Sequence, residues 1–194
     1  MRIGFFGGSF NPPSHVHINL ARIIIREYHL DKLFFVPVGD YYQKKDLIKA
    51  NHRCNMLKLA IEDEKNIEID TLAAESKTKL YASDTFRIIK EKYKGNEIFF
   101  IMGSDNYRKM PSWKDYNELI NNYKIIVIER ERKKTRKTNK KNIFEFIPEK
   151  LEEIDSSKIR KMISNNEDVT SYINENVYKY IKKNELYEDL KWVV

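Results

Sequence analysis

Gly7-Gly8-Ser9-Phe10-Asn11-Pro12-Pro13-Ser14-His15-Val16-His17 follows a short apolar run, residues 3–6, and leads into residues 15–28, where Ile18, Ala21, Ile25 and Tyr28 recur on one helical face. The order is strand, glycine turn, helix. Two glycines at a strand end allow positive φ angles and let backbone N–H groups approach an anion. Two consecutive prolines stiffen the entry to the helix. Ser14 and His17 lie three positions apart, so both can face the first turn, where the helix dipole is positive. A histidine placed there can donate to a phosphate oxygen and offset charge that develops during phosphoryl or nucleotidyl transfer.

Outward from this stretch the same rhythm repeats. Residues 33–38 (LFFVPV) read as a buried strand, with Pro37 placing it at a sheet edge or a strand end. Residues 51–62 carry Met56, Leu57, Ala60 and Ile61 at helical spacing, with Asn51 as the expected cap. Residues 67–69 form a third strand. Ser83 is the expected cap of a helix running to about residue 93, with Phe86 and Ile89 inward. Further strands follow at 97–102 (EIFFIM, ending in Gly103), 124–128 (KIIVI) and 143–147, and short helices at 115–121, 157–164 and 174–182. Strands alternating with helices predict an α/β fold: a Rossmann-like doubly wound parallel sheet, helices on both faces, and a small C-terminal helical part. Ligands of such sheets sit beyond the carboxyl ends of the strands.

Composition excludes several classes. The chain of 194 residues suits a single domain with an ample core. One cysteine, Cys54, forms no internal disulfide, and no Cys/His cluster has zinc-site spacing. The start has one basic residue and a glycine-broken apolar run, unlike a signal peptide, and no uncharged apolar stretch approaches membrane-span length. The net charge of +7 is local. Residues 130–141, RERKKTRKTNKK, hold eight basic residues and one acid, and the rest balances at 28 against 28. That segment reads as a solvated connection between strands, with attraction for a polyanion or for phosphorylated substrates as the sharper alternative. The glycine turn matches neither the ATPase phosphate loop nor the dinucleotide fingerprint, which demotes hydride transfer.

The turn resembles the G-G-[ST]-F-D-P-x-[HT]-x-G-H signature of the nucleotidyltransferase superfamily with the HxGH motif. Asn11, Ser14 and Val16 depart from it, and His17 is kept. Ile154-Asp155-Ser156-Ser157-Lys158-Ile159-Arg160 is similar to the same family's I-S-S-T-x-I-R. Ser156 and Ser157 are expected to cap a helix and point N–H and hydroxyl groups at an anion, with Arg160 one turn on adding a fork of donors. Gly103-Ser104-Asp105 and Pro111-Ser112-Trp113-Lys114-Asp115-Tyr116 resemble the G-[AS]-D … W-x-x-[WY] region of bacterial nicotinate-nucleotide adenylyltransferases. Tyr81-Ala82-Ser83-Asp84-Thr85 resembles their S-Y-T-x-D-T-L, and Val36-Pro37-Val38-Gly39 with Lys44 their V-P-x-G-x-P-P-H-K.

The resemblance implies adenylyl transfer from ATP to nicotinate mononucleotide in the cytoplasm, releasing deamido-NAD and pyrophosphate. It places Gly7, Gly8, Ser9, Phe10, Gly103, Asp105, Ser156 and Ser157 around ATP, with Asp105 accepting from the ribose hydroxyls. Ser14, His17 and Arg160 act on the phosphates. Trp113 offers the pyridine ring a stacking surface, and Lys44, Tyr81 and Thr85 help hold the same substrate. Magnesium, Mg2+, comes in with ATP on phosphate oxygens and water, so no dedicated metal cage is expected. The chain is expected to be one domain, with residues 1–150 as the sheet core including the basic loop 130–141, and 151–194 completing the ATP site. No membrane or nucleic-acid partner is expected, and a homo-oligomer is left open. The alternatives are the same fold acting on nicotinamide mononucleotide or another phosphorylated acceptor, and a non-catalytic polyanion-binding module built on the basic loop.

Overall fold

The computed structural model describes residues 1–129, 142–146 and 155–188; the basic segment 130–141 lies outside them. Six strands, β1 (Arg2–Gly8), β2 (Lys32–Pro37), β3 (Ile67–Ile69), β4 (Glu97–Gly103), β5 (Lys124–Ile128) and β6 (Ile143–Phe146), pair in the order β3-β2-β1-β4-β5-β6. Every pairing is parallel. The chain leaves β1 to build outward through β2 and β3, then returns to β1's other edge with β4. Strand order therefore reverses beside β1, and the crevice at that switch point opens beyond the ends of β1 and β4. The glycine turn and Gly103 end these two strands.

Strand alternation divides the core. Phe6, Leu33, Phe35, Phe99, Ile101, Ile126 and Ile128 face α1 (His15–Glu27), with its Ile18, Ala21 and Ile24. Their neighbours Ile3, Phe5, Phe34, Val36, Phe100, Met102, Ile125 and Val127 face the opposite side, covered by α3 (Ala82–Lys92) and α5 (Tyr116–Asn122). Period-two side chains buried on both faces are what a central parallel sheet requires. Phe86 of α3 stacks flat on Phe100 at 3.5 Å between ring centroids. A third cluster joins Met56 of α2 (Ala50–Ala60) to Ile159 and Ile163 of α6 (Ser156–Ser164) and to Val177 and Ile181 of α7 (Glu175–Lys183). This cluster packs the late helices against the early half of the chain.

At three helix starts that depart from expectation, an aspartate accepts an N–H. Lys49, not Asn51, precedes α2, and the α2 amide of Ala50 donates to the carboxylate of Asp40 at 2.6 Å. Tyr81 precedes α3, its N–H donating to Asp84 at 3.1 Å, and Ser83 is buried within the first turn. Asp155 caps α6 by accepting from Lys158 N–H at 2.8 Å, which makes Ser156 and Ser157 the first two helical residues. A carboxylate is the stronger acceptor for exposed helix N–H groups, and it takes the cap from a nearby serine or asparagine. Asp115 precedes α5 rather than opening it, in a left-handed backbone with φ of 58°. An additional helix, α4 (Ser104–Lys109), and a 3-10 turn at Met110–Ser112 fill the stretch after β4. Pro37 ends β2, which lies between β1 and β3, so the strand-end reading holds and the edge reading does not.

Candidate functional site

The glycine turn is built around the side chain of Phe10. Phe10 is buried with φ of 48°, and its ring packs against Phe35 and edge-on to the His17 ring at 5.3 Å. A Cβ on Gly8 would stand 2.7 Å from the Phe10 ring, so only glycine leaves room for it. Beyond the turn, the Ser14 N–H donates to His17 Nδ1 at 3.1 Å, and the Ser14 hydroxyl lies 2.8 Å from the same nitrogen. With Nδ1 an acceptor, the neutral ring carries its proton on Nε2. Ser14 and His17, expected only to face the same first turn, are thus in direct contact, and the contact fixes the tautomer that donates through Nε2.

The late signature meets this turn directly. Ser156 donates to the Pro12 carbonyl at 2.9 Å, and Arg160 donates to the Asn11 carbonyl at 2.9 Å. The Arg160 side chain is buried, with a second nitrogen 3.4 Å from the Ser157 hydroxyl. Asn11 stands at the centre. Its carboxamide oxygen accepts from the Tyr187 hydroxyl at 2.8 Å, and its NH2 donates to the Asp46 carbonyl at 2.7 Å. Burial pushes the Tyr187 phenol far above its ordinary range, although Arg160 and Arg53 pull it down, so the hydroxyl keeps the proton that Asn11 accepts. Two stretches far apart in sequence thus converge on one tripeptide-sized segment, with Arg160 bracing its backbone.

A cavity of about 630 Å³ opens beside the turn. Of the residues expected in the site, Gly7, Gly8, Ser9, Lys44, Tyr81, Thr85 and Trp113 line it. Ser14, His17, Ser156, Ser157 and Arg160 are not among its lining residues; Ser156 and Arg160 bond Pro12 and Asn11, Ser157 lies beside Arg160, and Ser14 pairs with His17. Gly103 ends β4 and precedes α4. Asp105 sits in the first turn of α4, exposed and ion-paired with Arg108 at 2.6 Å. Lys44 reaches within 3.5 Å of the Ser9 hydroxyl.

Sequence reasoning missed the charge of this cavity. Lys44, Lys79, Lys109 and Lys114 line it, and no aspartate or glutamate appears among its described lining residues. Lys79 and Lys114 lie 4.9 and 5.3 Å from the Tyr81 ring. A lysine-lined, partly apolar cleft suits an anion that carries an aromatic ring. Lys44 was singled out by the resemblance, but no pattern distinguishes Lys79, Lys109 and Lys114 from solvated lysines in the sequence. Arg53 was missed too, and there a signal existed: it shares a helical face with Met56, Leu57 and Ala60. It is completely buried, donating to the carbonyls of Ile48 at 2.9 Å, Ser9 at 3.0 Å and Val38 at 2.5 Å. Among the described residues no cluster of three His, Cys, Asp or Glu could hold a metal ion.

The cytidylyltransferase-like family model matches residues 5–162. The chain is 31% identical to nicotinate-nucleotide adenylyltransferase of Bacillus subtilis (strain 168), covering 96% of this chain and 98% of that one. It is 35% identical to a Borrelia garinii subsp. bavariensis protein named probable nicotinate-nucleotide adenylyltransferase, over 96% and 95% of the two chains. The fold is similar to that of Plasmodium falciparum nicotinic acid mononucleotide adenylyltransferase complexed with NaAD, with a TM-score of 0.82, 24% identity, and coverage of 96% and 97%.

Proposed function

The chain belongs to the cytidylyltransferase-like family, among the nicotinate-nucleotide adenylyltransferases, and from that premise we propose that the β1 turn and the start of α6 carry its chemistry. The protein transfers the adenylyl group of ATP to the phosphate of nicotinate mononucleotide, giving deamido-NAD and pyrophosphate, a step of NAD biosynthesis. An oxygen of the acceptor phosphate forms a bond to the α-phosphorus as the bond to the β-phosphate oxygen breaks in line with it. That phosphate is ionised near neutral pH, so the step needs no general base. Positioning and charge stabilisation do the catalysis.

His17 donates from Nε2 to an α-phosphate oxygen, and the Phe10 N–H donates beside it. Ser156 and Ser157, in the first turn of α6, receive the departing phosphates, with Arg160 holding the Asn11 carbonyl in place beneath them. Gly103 and Asp105, at the end of β4, belong to the nucleoside side. The pyridine ring stacks on Trp113, with Tyr81, Thr85 and Lys44 around it. Four lysines and no carboxylate among the described lining residues favour nicotinate, which has one more negative charge than nicotinamide. A hard divalent cation such as magnesium would come in with ATP on phosphate oxygens and water, since no carboxylate cluster among the described residues would hold it, and would supply charge neutralisation for the pyrophosphate. A cytoplasmic setting fits a chain whose one cysteine is free and buried.

The observation that supports this reading best is the convergence of Ser156 and Arg160 on the Asn11–Pro12 backbone, next to the Ser14–His17 pair. The test is formation of deamido-NAD from ATP, magnesium and nicotinate mononucleotide. His17→Ala should lower turnover by about 10²–10³ and leave the far-UV spectrum unchanged. A wild-type protein that forms no deamido-NAD, or a His17→Ala variant as active as wild type, would overturn the reading.

A further inference from the structure

Arg53 takes no part in the reaction as described, yet its guanidinium is wholly buried and all three of its nitrogens donate to backbone carbonyls. One of those carbonyls belongs to Ser9. In a planar trans peptide the C=O and the next N–H point in opposite directions, so fixing the Ser9 carbonyl on Arg53 fixes the Phe10 N–H on the opposite side. Two peptides on, the Asn11 carbonyl is also held by a guanidinium, that of Arg160, although this peptide bond leads into Pro12 and has no N–H to aim. The two guanidiniums therefore bracket Phe10, which has the left-handed φ of 48°, a conformation a non-glycine residue keeps only when its surroundings impose it. A charged donor on the carbonyl also polarises its amide and makes the attached N–H a stronger donor.

A second carbonyl on Arg53 is that of Val38, at the start of the loop carrying Lys44, and the Asp40 carboxylate lies 3.9 Å from the guanidinium while it also accepts the first N–H of α2. One buried side chain thus sets the register between the phosphate turn and the loop across the cavity. Burial pulls its proton affinity down, with Cys54, Asp40 and Tyr187 opposing; as an arginine it stays charged.

We propose that Arg53 is a positioning residue for adenylyl transfer, aiming the Phe10 N–H at a non-bridging oxygen of the ATP α-phosphate. The proposal rests on the adenylyl-transfer reading above. The test pairs Arg53→Met, close in volume and uncharged, with Arg53→Lys, which keeps the charge but not the three-way reach. Each is assayed with ATP and with both diastereomers of ATP carrying sulfur in place of a non-bridging α-oxygen, at one magnesium concentration. In the wild type, sulfur facing the Phe10 N–H slows turnover. In Arg53→Met, kcat with ATP should fall about 10- to 100-fold, by comparison with loss of an oxyanion donor, and the rate ratio between ATP and that diastereomer should collapse toward one. Arg53→Lys should fall between.

A general loss of packing would lower kcat and leave the sulfur ratio as it was. An unchanged ratio in a folded variant, or unchanged kcat, overturns the proposal. Should both variants fail to fold, the wild-type Phe10 amide 15N–1H resonance decides, and no shift on saturation with ATP overturns it. That measurement needs ATP binding only, so its failure is separable from failure of the wild type to make deamido-NAD.

Discussion

The Ser156 hydroxyl donates to the Pro12 carbonyl at 2.9 Å, joining the start of α6 to the turn after β1 across 144 positions of sequence. With Arg160 on the Asn11 carbonyl and Tyr187 on the Asn11 side chain, it makes the phosphate turn a product of tertiary structure rather than of local sequence.

Tyr187→Phe tests that dependence most cleanly, since it removes one hydroxyl and little volume. It leaves the buried Asn11 carboxamide oxygen without its donor, at a cost of about 1–2 kcal/mol. The midpoint of thermal unfolding should drop by roughly 2–8 °C, and kcat/KM should fall with it at assay temperature. Unaltered melting and kinetics would show that the Asp46 side of the Asn11 network suffices.

Gly7 and Gly39 both border the cavity, but alanine at each should have opposite consequences. A Cβ on Gly39 would lie 2.3 Å from the Ala73 carbonyl oxygen, which is backbone and cannot swing away. Gly39→Ala should cost roughly 1–3 kcal/mol of stability by denaturant titration. A Cβ on Gly7 meets nothing within 4 Å, so Gly7→Ala should fold as the wild type does while its methyl enters the space meant for substrate. The expected signature is a raised KM at unchanged unfolding midpoint.

Asp70 carries the clearest pH dependence. Burial by itself would raise its carboxyl, but Lys92 at 2.9 Å, the Leu72 N–H at 3.0 Å and the Tyr93 hydroxyl at 3.0 Å together hold it below the ordinary aspartate value. A depressed folded-state value means the unfolded chain binds a proton first as pH falls. The stabilisation is therefore complete above about pH 4–5 and disappears as pH drops through the folded-state value. Asp70→Asn should destabilise by about 2 kcal/mol at pH 7, and the gap from wild type should close in acid. A gap that stays constant down to pH 2 would rule this account out.

Trp113 is half-buried and lines the cavity, packed against the face of the sheet that holds Phe100. Trp113→Ala should raise KM for nicotinate mononucleotide roughly tenfold, the scale of a lost ring-on-ring contact, while KM for ATP changes by less than about twofold. Equal shifts for both substrates would place the pyridine ring elsewhere.

The strands were legible because their signal is local and repeats every two residues: 97–102 and 124–128 read correctly, and their alternation assigns Phe99 and Phe100 to opposite faces. The phosphate turn was legible for a different reason: glycine leaves room for close approach, as at Gly8 beside the Phe10 ring, and the two prolines fix their own φ. Helix caps were misread wherever an acid competed. Asp155 outcompetes Ser156, and Asp40 reaches α2 from ten residues away, which no local window detects. Arg53 was hidden by a general expectation that arginine lies on the surface, although its helical phase pointed inward. The four cavity lysines come from separate segments, so their shared electrostatic effect exists only after folding.

The bond from Tyr187 to Asn11 spans 176 positions, and this separates the making of the catalytic turn from its completion. At a translation speed of 5–20 residues per second, Asn11 is synthesised roughly 9–35 s before its partner. During that interval the ribosome-tethered polypeptide can build β1, β2 and α1 but lacks the hydroxyl that secures the turn. A chain released before position 187 lacks that hydroxyl and holds Asn11 with one tie fewer than the full-length protein.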